Sequence, residues 1–324
     1  MPREGVDYPG TWQAFESWFA DDEACRGYLS QVRWPGGFIC PACSKSDAWR
    51  TARGMWMCRS CGRQTSVTAG TIFHRSRLPL RTWFSAMWFI CAQKSGVSAL
   101  GLQRVLGFGS YETAWAWMHK LRRAMVRPDR ELLGGRGIAV EIDTTFIGGR
   151  SPVGRGGRRY LNKVEVAIGV ELRDPIGLGR TRLAVVDIAD RKRDLVEFAR
   201  TAIGSGTTLH TDGEQLYKNL AKALGLRHQR SVLLHADTPA HSTLPGVHRV
   251  ASLLKRWLAG TIHNGQSAEH LSYYLDEFTF RFNRRSSGSR GLLFYRLLQQ
   301  AANTDPHPLS CLTADSTTES DDWS

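Results

Sequence analysis

The chain has 324 residues, an aromatic share of 10% and a formal net charge of +13. This length accommodates two domains or one large domain with a sizeable core, and the composition is that of an ordinary soluble protein. The basic excess predicts a polyanionic partner such as DNA, but ribosomal and membrane-surface proteins are also basic, so charge alone identifies no function. No apolar run is long enough to span a bilayer and the first residues do not form a signal peptide, so the sequence predicts a cytoplasmic protein.

The composition changes along the chain in three zones. The first, to about residue 128, holds nine of the eleven tryptophans and six of the seven cysteines, and the second alternates strand-like and helix-like segments. The last 22 residues hold five acids and no Lys or Arg, and they lack the apolar content needed to pack. The predicted organisation is N-terminal helices over 1–35, a zinc ribbon over 36–73, a helical DNA-binding region over 74–130, a catalytic domain over 131–300 and a disordered acidic tail over 301–324.

Two C-x-x-C pairs mark a metal site in the first zone. Cys40 and Cys43 form the first pair, Cys58 and Cys61 form the second, and fourteen residues separate them. Each pair brings two thiolates to one point, and two pairs complete the tetrahedral sulfur shell of structural zinc. A redox C-x-x-C would be single and would open a helix of a βαβ unit. The spacing therefore predicts a zinc ribbon whose closed site serves structure or DNA docking.

The segment 81–125 predicts three helices with a tight turn before the last. Ser98 has the position of an N-cap, Gly107 begins the turn, and residues 112–125 have the character of a recognition helix. This is a helix-turn-helix pattern, although a plain helical linker with a basic surface gives the same pattern. The basic residues near the end of that helix are Lys120, Arg122 and Arg123.

The order of elements in the second zone predicts the fold class. Period-two alternation predicts two strands and a near-continuous apolar run predicts a third, followed by helix, strand, helix, a further strand and more helices. This is the order of an RNase H-like α/β fold, in which helices flank a mixed sheet. The predicted strands cover 138–143, 163–172, 181–188, 207–211 and 230–235, and the predicted helices cover 194–203 and 214–224 and begin near 247 and 268.

Two aspartates stand on strands that neighbour one another in such a sheet. Asp143 lies in the first strand on the same face as Glu141, and Asp212 ends the fourth strand. Their carboxylates would converge on one edge as hard oxygen ligands for Mg²⁺ or Mn²⁺, which phosphodiester chemistry requires. An Asp before Gly is also common in turns, whereas an Asp inside an apolar strand is costly without a partner. The pair predicts a catalytic metal site.

A third ligand of this site is expected from a later helix. Glu269 and Glu277 lie far downstream, whereas His248 follows Asp212 by thirty-six positions. On a helix, His248 and Lys255 are seven residues apart and share a face. The sequence predicts a metal-binding or proton-shuttling His248 beside a phosphate-binding Lys255, and it leaves open a His248 that only caps or packs.

A basic segment over residues 150–163 has five basic residues and no acid. It is expected to follow the DNA backbone, because its cations can reach phosphates, and a solvated flexible loop is the alternative. The predicted DNA-binding residues are Arg155, Arg158, Arg159, Lys163, Lys255 and Arg256.

Together these residues resemble the ISXO-like transposases of bacterial insertion sequences, which join a zinc ribbon to a DDE-type catalytic domain. The likeness covers nearly all of the chain, from about residue 12 to about residue 300. Its last segment, 274–285, is the longest and most specific. The other segments that carry it are 65–73, 78–83, 140–149, 210–213 and 252–256.

The resemblance implies that Asp143 and Asp212 are the first two catalytic acids of a transposase that binds element ends and cuts and joins DNA as a homo-oligomer. Such proteins usually carry Glu or Asn at the third position, where this chain has His248, and often Glu where it has Thr144. Imidazole is a softer ligand than carboxylate, so the Asp-Asp-His set is expected to tolerate Mn²⁺ better than Mg²⁺.

Three other functions stay open. A domesticated transposase acting as a DNA-binding regulator would keep the ribbon without cutting; both aspartates argue against it, but His248 does not. A nuclease or resolvase of the same fold would cut without joining. A zinc hydrolase built on His235, Asp237 and His241 is disfavoured, because Pro239 interrupts any helix that would align them.

Overall fold

The structure is a computed structural model that describes residues 1–127, 129–148, 163–173, 177–212, 214–230, 244–262 and 269–313. The backbone divides into two compact units, one formed by residues 1–127 and 286–324 and the other by residues 128–285. Among the described residues, no helix is long and apolar enough to cross a membrane.

The secondary structure elements are numbered in chain order. The helices are α1 (Trp12–Trp18), α2 (Asp22–Arg33), α3 (Leu80–Ala92), α4 (Ala99–Leu106), α5 (Tyr111–Ala124), α6 (Arg191–Ala202), α7 (Gln215–Ala223), α8 (Pro245–Ile262), α9 (Leu271–Asn283), α10 (Arg290–Ala301) and α11 (Leu309–Thr313). The strands are β1 (Ala48–Arg50), β2 (Trp56–Cys58), β3 (Gln64–Thr65), β4 (Leu133–Gly134), β5 (Ala139–Ile147), β6 (Val164–Leu172), β7 (Leu178–Val186), β8 (Ile203–Gly204), β9 (Thr208–Thr211) and β10 (Arg227–Arg230).

Side-chain caps start most helices of the first unit. Each cap oxygen accepts a hydrogen bond of 2.8–3.3 Å from the backbone N–H three residues later. Such a bond satisfies one of the N–H groups that a helix start leaves without an intrahelical partner. The caps of α1, α2, α4, α5 and α10 are Thr11, Asp21, Ser98, Ser110 and Ser289.

Helices α4 and α5 are joined by a short turn at the predicted position. Gly107 ends α4 at a φ of 68°, a left-handed conformation that glycine adopts without strain. The basic residues at the end of α5 were expected to be exposed for DNA contact, but Arg122 is only 3% exposed. Lys120 is half-buried, and Arg123 is exposed. Of these three predicted basic contacts, Arg123 is therefore the one that solvent reaches freely.

An aromatic cluster forms the core of the first unit. Phe294 of α10 packs against Phe15 at 5.5 Å, Phe84 at 5.7 Å, Trp88 at 5.7 Å and Phe19 at 5.8 Å between ring centroids. Helix α10, which lies within the segment 131–300 expected for the catalytic domain, thus packs in the first unit. The segment expected as a disordered tail includes α11, whose Leu312 is 3% exposed. Residues 314–324 of that tail lie outside the described residues.

The second unit is built on a five-stranded mixed sheet in the order β10-β9-β5-β6-β7. Strands β5, β6 and β7 are antiparallel neighbours, whereas β9 runs parallel to β5 and β10 runs parallel to β9. The predicted succession of three strands, helix, strand, helix, strand and helices is confirmed. The last strand, β10, begins at Arg227, and residues 231–235 of the strand predicted over 230–235 lie outside the described residues.

Helices cover both faces of this sheet. On one face, α6 and α7 pack against Val140, Ile142 and Ala167. On the other face, α8 and α9 pack against Val166 and Ile168. Strands β5 and β6 therefore lie between two apolar layers, which explains why apolar residues face both sides of these strands.

Candidate functional site

The four predicted zinc ligands form a compact cluster. All four sulfur atoms lie within 4.8 Å of one another, and the closest pairs are Cys43–Cys58 at 3.5 Å and Cys40–Cys61 at 3.6 Å. Sulfur atoms about 2.3 Å from a central zinc in a tetrahedron lie about 3.8 Å apart, so the observed spacing fits zinc.

The two cysteine pairs share one backbone pattern. The N–H of Ser44 donates to the carbonyl of Cys40, and the N–H of Gly62 donates to the carbonyl of Cys58, both at 2.9 Å. Ser44 and Gly62 have left-handed φ angles of 57° and 69°. The repeated turn explains how two short segments present a matched pair of ligands.

Asp143 and Asp212 lie at matching positions of neighbouring strands. The parallel register of β5 and β9 pairs Glu141 with His210. Asp143 follows Glu141 by two residues and Asp212, just after β9, follows His210 by two, so the two aspartates occupy equivalent positions beyond the last paired residues. Burial raises the pKa of Asp143, and the charge of Asp212 raises it further. Carboxylates that destabilise each other's charge in this way favour a bound cation.

Glu141 anchors the start of α8. Its side chain is 2% exposed, and Oε2 accepts a hydrogen bond of 2.8 Å from the N–H of Val247. Burial raises the pKa of Glu141, while hydrogen bonds from Val247 and Gly246 oppose the rise. A Cβ atom on Gly246 would lie 2.8 Å from that oxygen, so glycine permits the close approach of α8 to β5. The anchor fixes the residues directly before His248.

His248 is half-buried in the first turn of α8 and lies near both acids. Burial raises the pKa of Glu141 and of Asp143, and a positive charge on His248 opposes both rises. Among the described residues, one group of three or more His, Cys, Asp or Glu side chains lies close enough together to bind a metal ion, and it is the four cysteines. Asp143, Asp212 and His248 do not form a second such group in this conformation.

Arg191 clamps the chain segment that carries Asp212. It forms two hydrogen bonds with the carboxylate of Glu214, at 2.6 and 3.0 Å, and one with Glu165 at 2.8 Å. The N–H of Glu214 in turn donates to Asp212 at 2.9 Å. Glu165 is 2% exposed, so its charge depends on this partner. The clamp thus connects β6, α6 and the end of β9.

Tyr217 of α7 places a buried hydroxyl near the same acids. The residue is 1% exposed, and its hydroxyl has no hydrogen-bond partner among the described residues. Burial raises the pKa of Tyr217, and the charges of Asp143 and Asp212 raise it further.

The sequence analysis did not single out Glu165, Arg191, Glu214 or Tyr217 as part of the site. The available signal was Glu165 inside an apolar strand, because a buried carboxylate requires a partner. Arg191 is one of several arginines on a polar helix, and only the tertiary structure selects it.

The predicted DNA-binding residues are only partly described. Lys163 is half-buried before β6, and Lys255 and Arg256 are exposed on α8. Partial burial lowers the pKa of Lys255, and the charge of Lys163 lowers it further, so these two lysines form one basic area. The residues that lie outside the described part of the chain are Arg155, Arg158 and Arg159, together with His235, Asp237 and His241 of the hydrolase alternative.

Two family models match the chain and together cover more than half of it. The model for the ISXO2-like transposase domain matches residues 132–283, and the model for the transposase zinc-ribbon domain matches residues 20–64. A relative from Halobacterium salinarum, described as an uncharacterized protein in transposable element ISH50, is 26% identical over 287 residues, which are 81% of this chain and 91% of the relative.

A solved structure of the simian T-cell lymphotropic virus intasome, in complex with the PP2A regulatory subunit B56 gamma, has a chain with 14% identity and a TM-score of 0.31. The match covers 74% of this chain and 78% of that chain. A likeness this low carries no argument about fold or partner.

The cysteine ribbon and the acidic sheet edge, each matched by a transposase model, define the class of protein: a transposase with an N-terminal zinc ribbon and a DDE-type catalytic domain. The chain belongs to the ISXO2-like transposase family. The predicted family is thereby confirmed, and DNA is the partner class of such an enzyme.

Proposed function

We propose that this transposase binds the ends of its insertion element and catalyses strand cleavage and strand transfer at an RNase H-like site formed by Asp143, Asp212 and His248. The observation that carries the proposal is the parallel register of β5 and β9, in which Asp143 lies two residues beyond Glu141 and Asp212 two residues beyond its partner His210. The order of three antiparallel and two parallel strands, with helices on both faces, supports the RNase H-like assignment.

Asp143 and Asp212 have the donor set of a divalent cation site. Their oxygens are the hard ligands that Mg²⁺ and Mn²⁺ prefer, and a desolvated pair of like charges is stabilised by a cation. His248 adds a softer nitrogen donor, which favours Mn²⁺. When bound, the metal would activate the attacking hydroxyl and stabilise the charge on the leaving 3′ oxygen.

The chain's own residues hold this site in position. Glu141 fixes the start of α8 and therefore the position of His248. Arg191 holds Glu214, whose N–H orients Asp212. These contacts maintain the acids at the sheet edge before DNA arrives, and catalysis requires such preorganisation.

Basic residues near the site would hold the DNA backbone. Lys163 and Lys255 form one basic area, and Arg256 is exposed next to Lys255. We assign the phosphate contacts to these residues and to the arginines of segment 150–163. A homo-oligomer that pairs two element ends is part of this proposal. The zinc ribbon stabilises the N-terminal unit that engages the ends.

The test is strand cleavage and joining on a labelled duplex that carries the element's own ends, in Mg²⁺ and in Mn²⁺. Wild type is compared with Asp143→Asn, Asp212→Asn and His248→Ala, and the control is Glu197→Gln, which alters an exposed carboxylate of the same unit. We expect products only with metal, none from the three site variants, and wild-type rates from the control. If wild type binds the ends but never cuts in either metal, the protein is a DNA-binding regulator and the catalytic proposal is wrong. If only the aspartate variants are inactive, His248 is not the third site residue.

A further inference from the structure

A cleft in the first unit has the chemistry of a DNA phosphate site. Its volume is about 620 Å³, and it lies between the start of α2, the turn that joins β1 to β2, and the segment 66–78 that follows the ribbon. The family matches end at residue 64 and begin again at residue 132, so they leave this last wall unassigned.

The acids of the cleft are already neutralised. Glu23 is paired with Arg26 at 3.2 Å and with Arg50 at 3.0 Å. Asp22 is paired with Arg26 at 3.4 Å and also accepts a hydrogen bond of 3.0 Å from the N–H of Arg81. Neither carboxylate is therefore a free charge that would repel an anion.

Two arginines of the cleft have no such partner. Arg53 in the hairpin turn and Arg75 in the segment 66–78 are both exposed and line the cleft. In the described part of the chain, neither side chain forms an ion pair or a hydrogen bond. Arginines that stay unpaired at the edge of a cleft are available for bidentate contact with phosphate.

Other hydrogen-bond donors stand beside these arginines. His74 accepts a hydrogen bond from the N–H of Gly70 through Nδ1, at 3.3 Å, which leaves Nε2 as the ring's donor. The hydroxyls of Ser66 and Thr68 also line the cleft. Hydroxyls and ring N–H groups are common partners of DNA phosphates.

The wall that carries Arg75 is held firmly. The side chain of Arg33 donates to the carbonyl of Val67 at 2.8 Å, and the indole N–H of Trp83 donates to Ser76 at 2.8 Å. Arg75 itself has a left-handed φ of 52°. A non-glycine residue stays in that conformation only where its surroundings enforce it. The cleft is therefore a preformed site and not a mobile loop.

We propose that this cleft binds the sugar–phosphate backbone of DNA, with Arg53 and Arg75 each contacting a phosphate. The inference rests on the proposed function and adds a second DNA contact region in the unit that carries the ribbon. Because phosphate contacts carry no sequence information, this site strengthens binding to any duplex and does not select the element ends.

The test measures DNA affinity of the full-length protein against salt concentration, by fluorescence anisotropy on an element-end duplex and on a scrambled duplex. The variants are Arg53→Gln with Arg75→Gln, and the charge reversal Arg53→Glu. The control is Arg296→Gln, an exposed arginine that does not line the cleft. We expect the double variant to lose about tenfold in affinity on both duplexes and to flatten the plot of log K against log salt by about 1.8, or about 0.9 per phosphate contact. Zinc content and thermal unfolding verify that each variant is folded.

An unchanged salt slope in a folded, zinc-loaded double variant would overturn the assignment, as would a loss confined to the element-end duplex. If wild type cuts DNA while the double variant keeps the full slope, the cleft is not a DNA site and the catalytic proposal stands. If the slope falls but wild type never cuts, the cleft assignment stands and the catalytic proposal is wrong.

Discussion

The buried carboxylate of Glu141 accepts a hydrogen bond of 2.8 Å from the backbone N–H of Val247, immediately before His248. A carboxylate at a helix N-terminus satisfies an N–H group that has no intrahelical partner and interacts favourably with the helix dipole. The contact couples the strand that carries Asp143 to the helix that carries His248. The relative position of these two residues thus depends on a third residue, Glu141, which we assign to positioning and not to chemistry.

A methyl group at Gly246 should disturb this coupling. Gly246→Ala would place a Cβ atom 2.8 Å from Oε2 of Glu141 and 3.1 Å from Leu172, so the start of α8 must shift. We expect a loss of about 1–3 kcal/mol in stability and a fall of at least about tenfold in cleavage rate, with DNA affinity unchanged. Gly260→Ala is the matched control, because an added Cβ there meets no atom within 4 Å. That change should stabilise α8 by about 0.5–1 kcal/mol, and equal cleavage rates in the two variants would contradict the positioning role.

Removal of the Arg191 guanidinium should destabilise the part of the site around Asp212. Arg191→Gln leaves Glu165, whose side chain is 3% exposed, without its charged partner. Because Arg191 itself is 31% exposed, we expect a loss of about 2–3 kcal/mol, below the range for fully buried pairs. Denaturant unfolding measures the loss, and Glu165→Gln in the same chain should recover part of it. Arg200→Gln on the same helix removes a pair that is 63% and 54% exposed, and it should change stability by no more than about 0.5 kcal/mol. Equal losses from Arg191→Gln and Arg200→Gln would disprove the clamp.

Loss of one ribbon cysteine should remove the metal. Cys43→Ser breaks the four-sulfur shell, and we expect zinc per chain, measured by atomic spectrometry, to fall from near one to near zero. The turn that carries Arg53 joins β1 to β2 of the ribbon, so DNA affinity should fall when zinc is lost. Cys311→Ser changes an exposed cysteine outside the cluster and should leave zinc content unchanged. Full zinc occupancy in Cys43→Ser would show that the cluster does not bind zinc through four thiolates.

The stability of the first unit should depend on pH through His307. Burial, followed by the charges of Arg123 and Lys120, lowers the pKa of His307 to about 4. The unfolded imidazole takes up its proton near pH 6.5, so the unfolded state binds more protons between pH 6.5 and 4. The contribution of His307 to stability is therefore complete above pH 6.5 and decreases as the pH falls towards 4. His307→Gln should show a smaller decrease in melting temperature between pH 7 and pH 5, and parallel melting curves for the two proteins would contradict the assignment.

Local pattern predicted a large part of this protein. The paired cysteines at fixed spacing defined the ribbon, because four thiolates at those positions can close only around one centre. Alternation over β5 and β6 and the cap at Ser98 located strands and helices to within a few residues. These features depend on neighbours in sequence, which is why they could be identified without the fold. The boundary at residue 300 could not, since Phe294 packs on residues far away in sequence.

The sequence by itself determined the family, the four-cysteine ribbon and the order of elements, because each depends on residue type and spacing. Only the tertiary structure decided which other charges belong to the site. Glu141 meets Val247 across 106 residues, and Arg191 meets Glu165 and Glu214 across 26 and 23 residues. It also decided that Arg122 is buried while Arg53 and Arg75 are not. The physical reason is that a charged side chain gains its role from burial and from partners, and both are set by packing between elements distant in sequence.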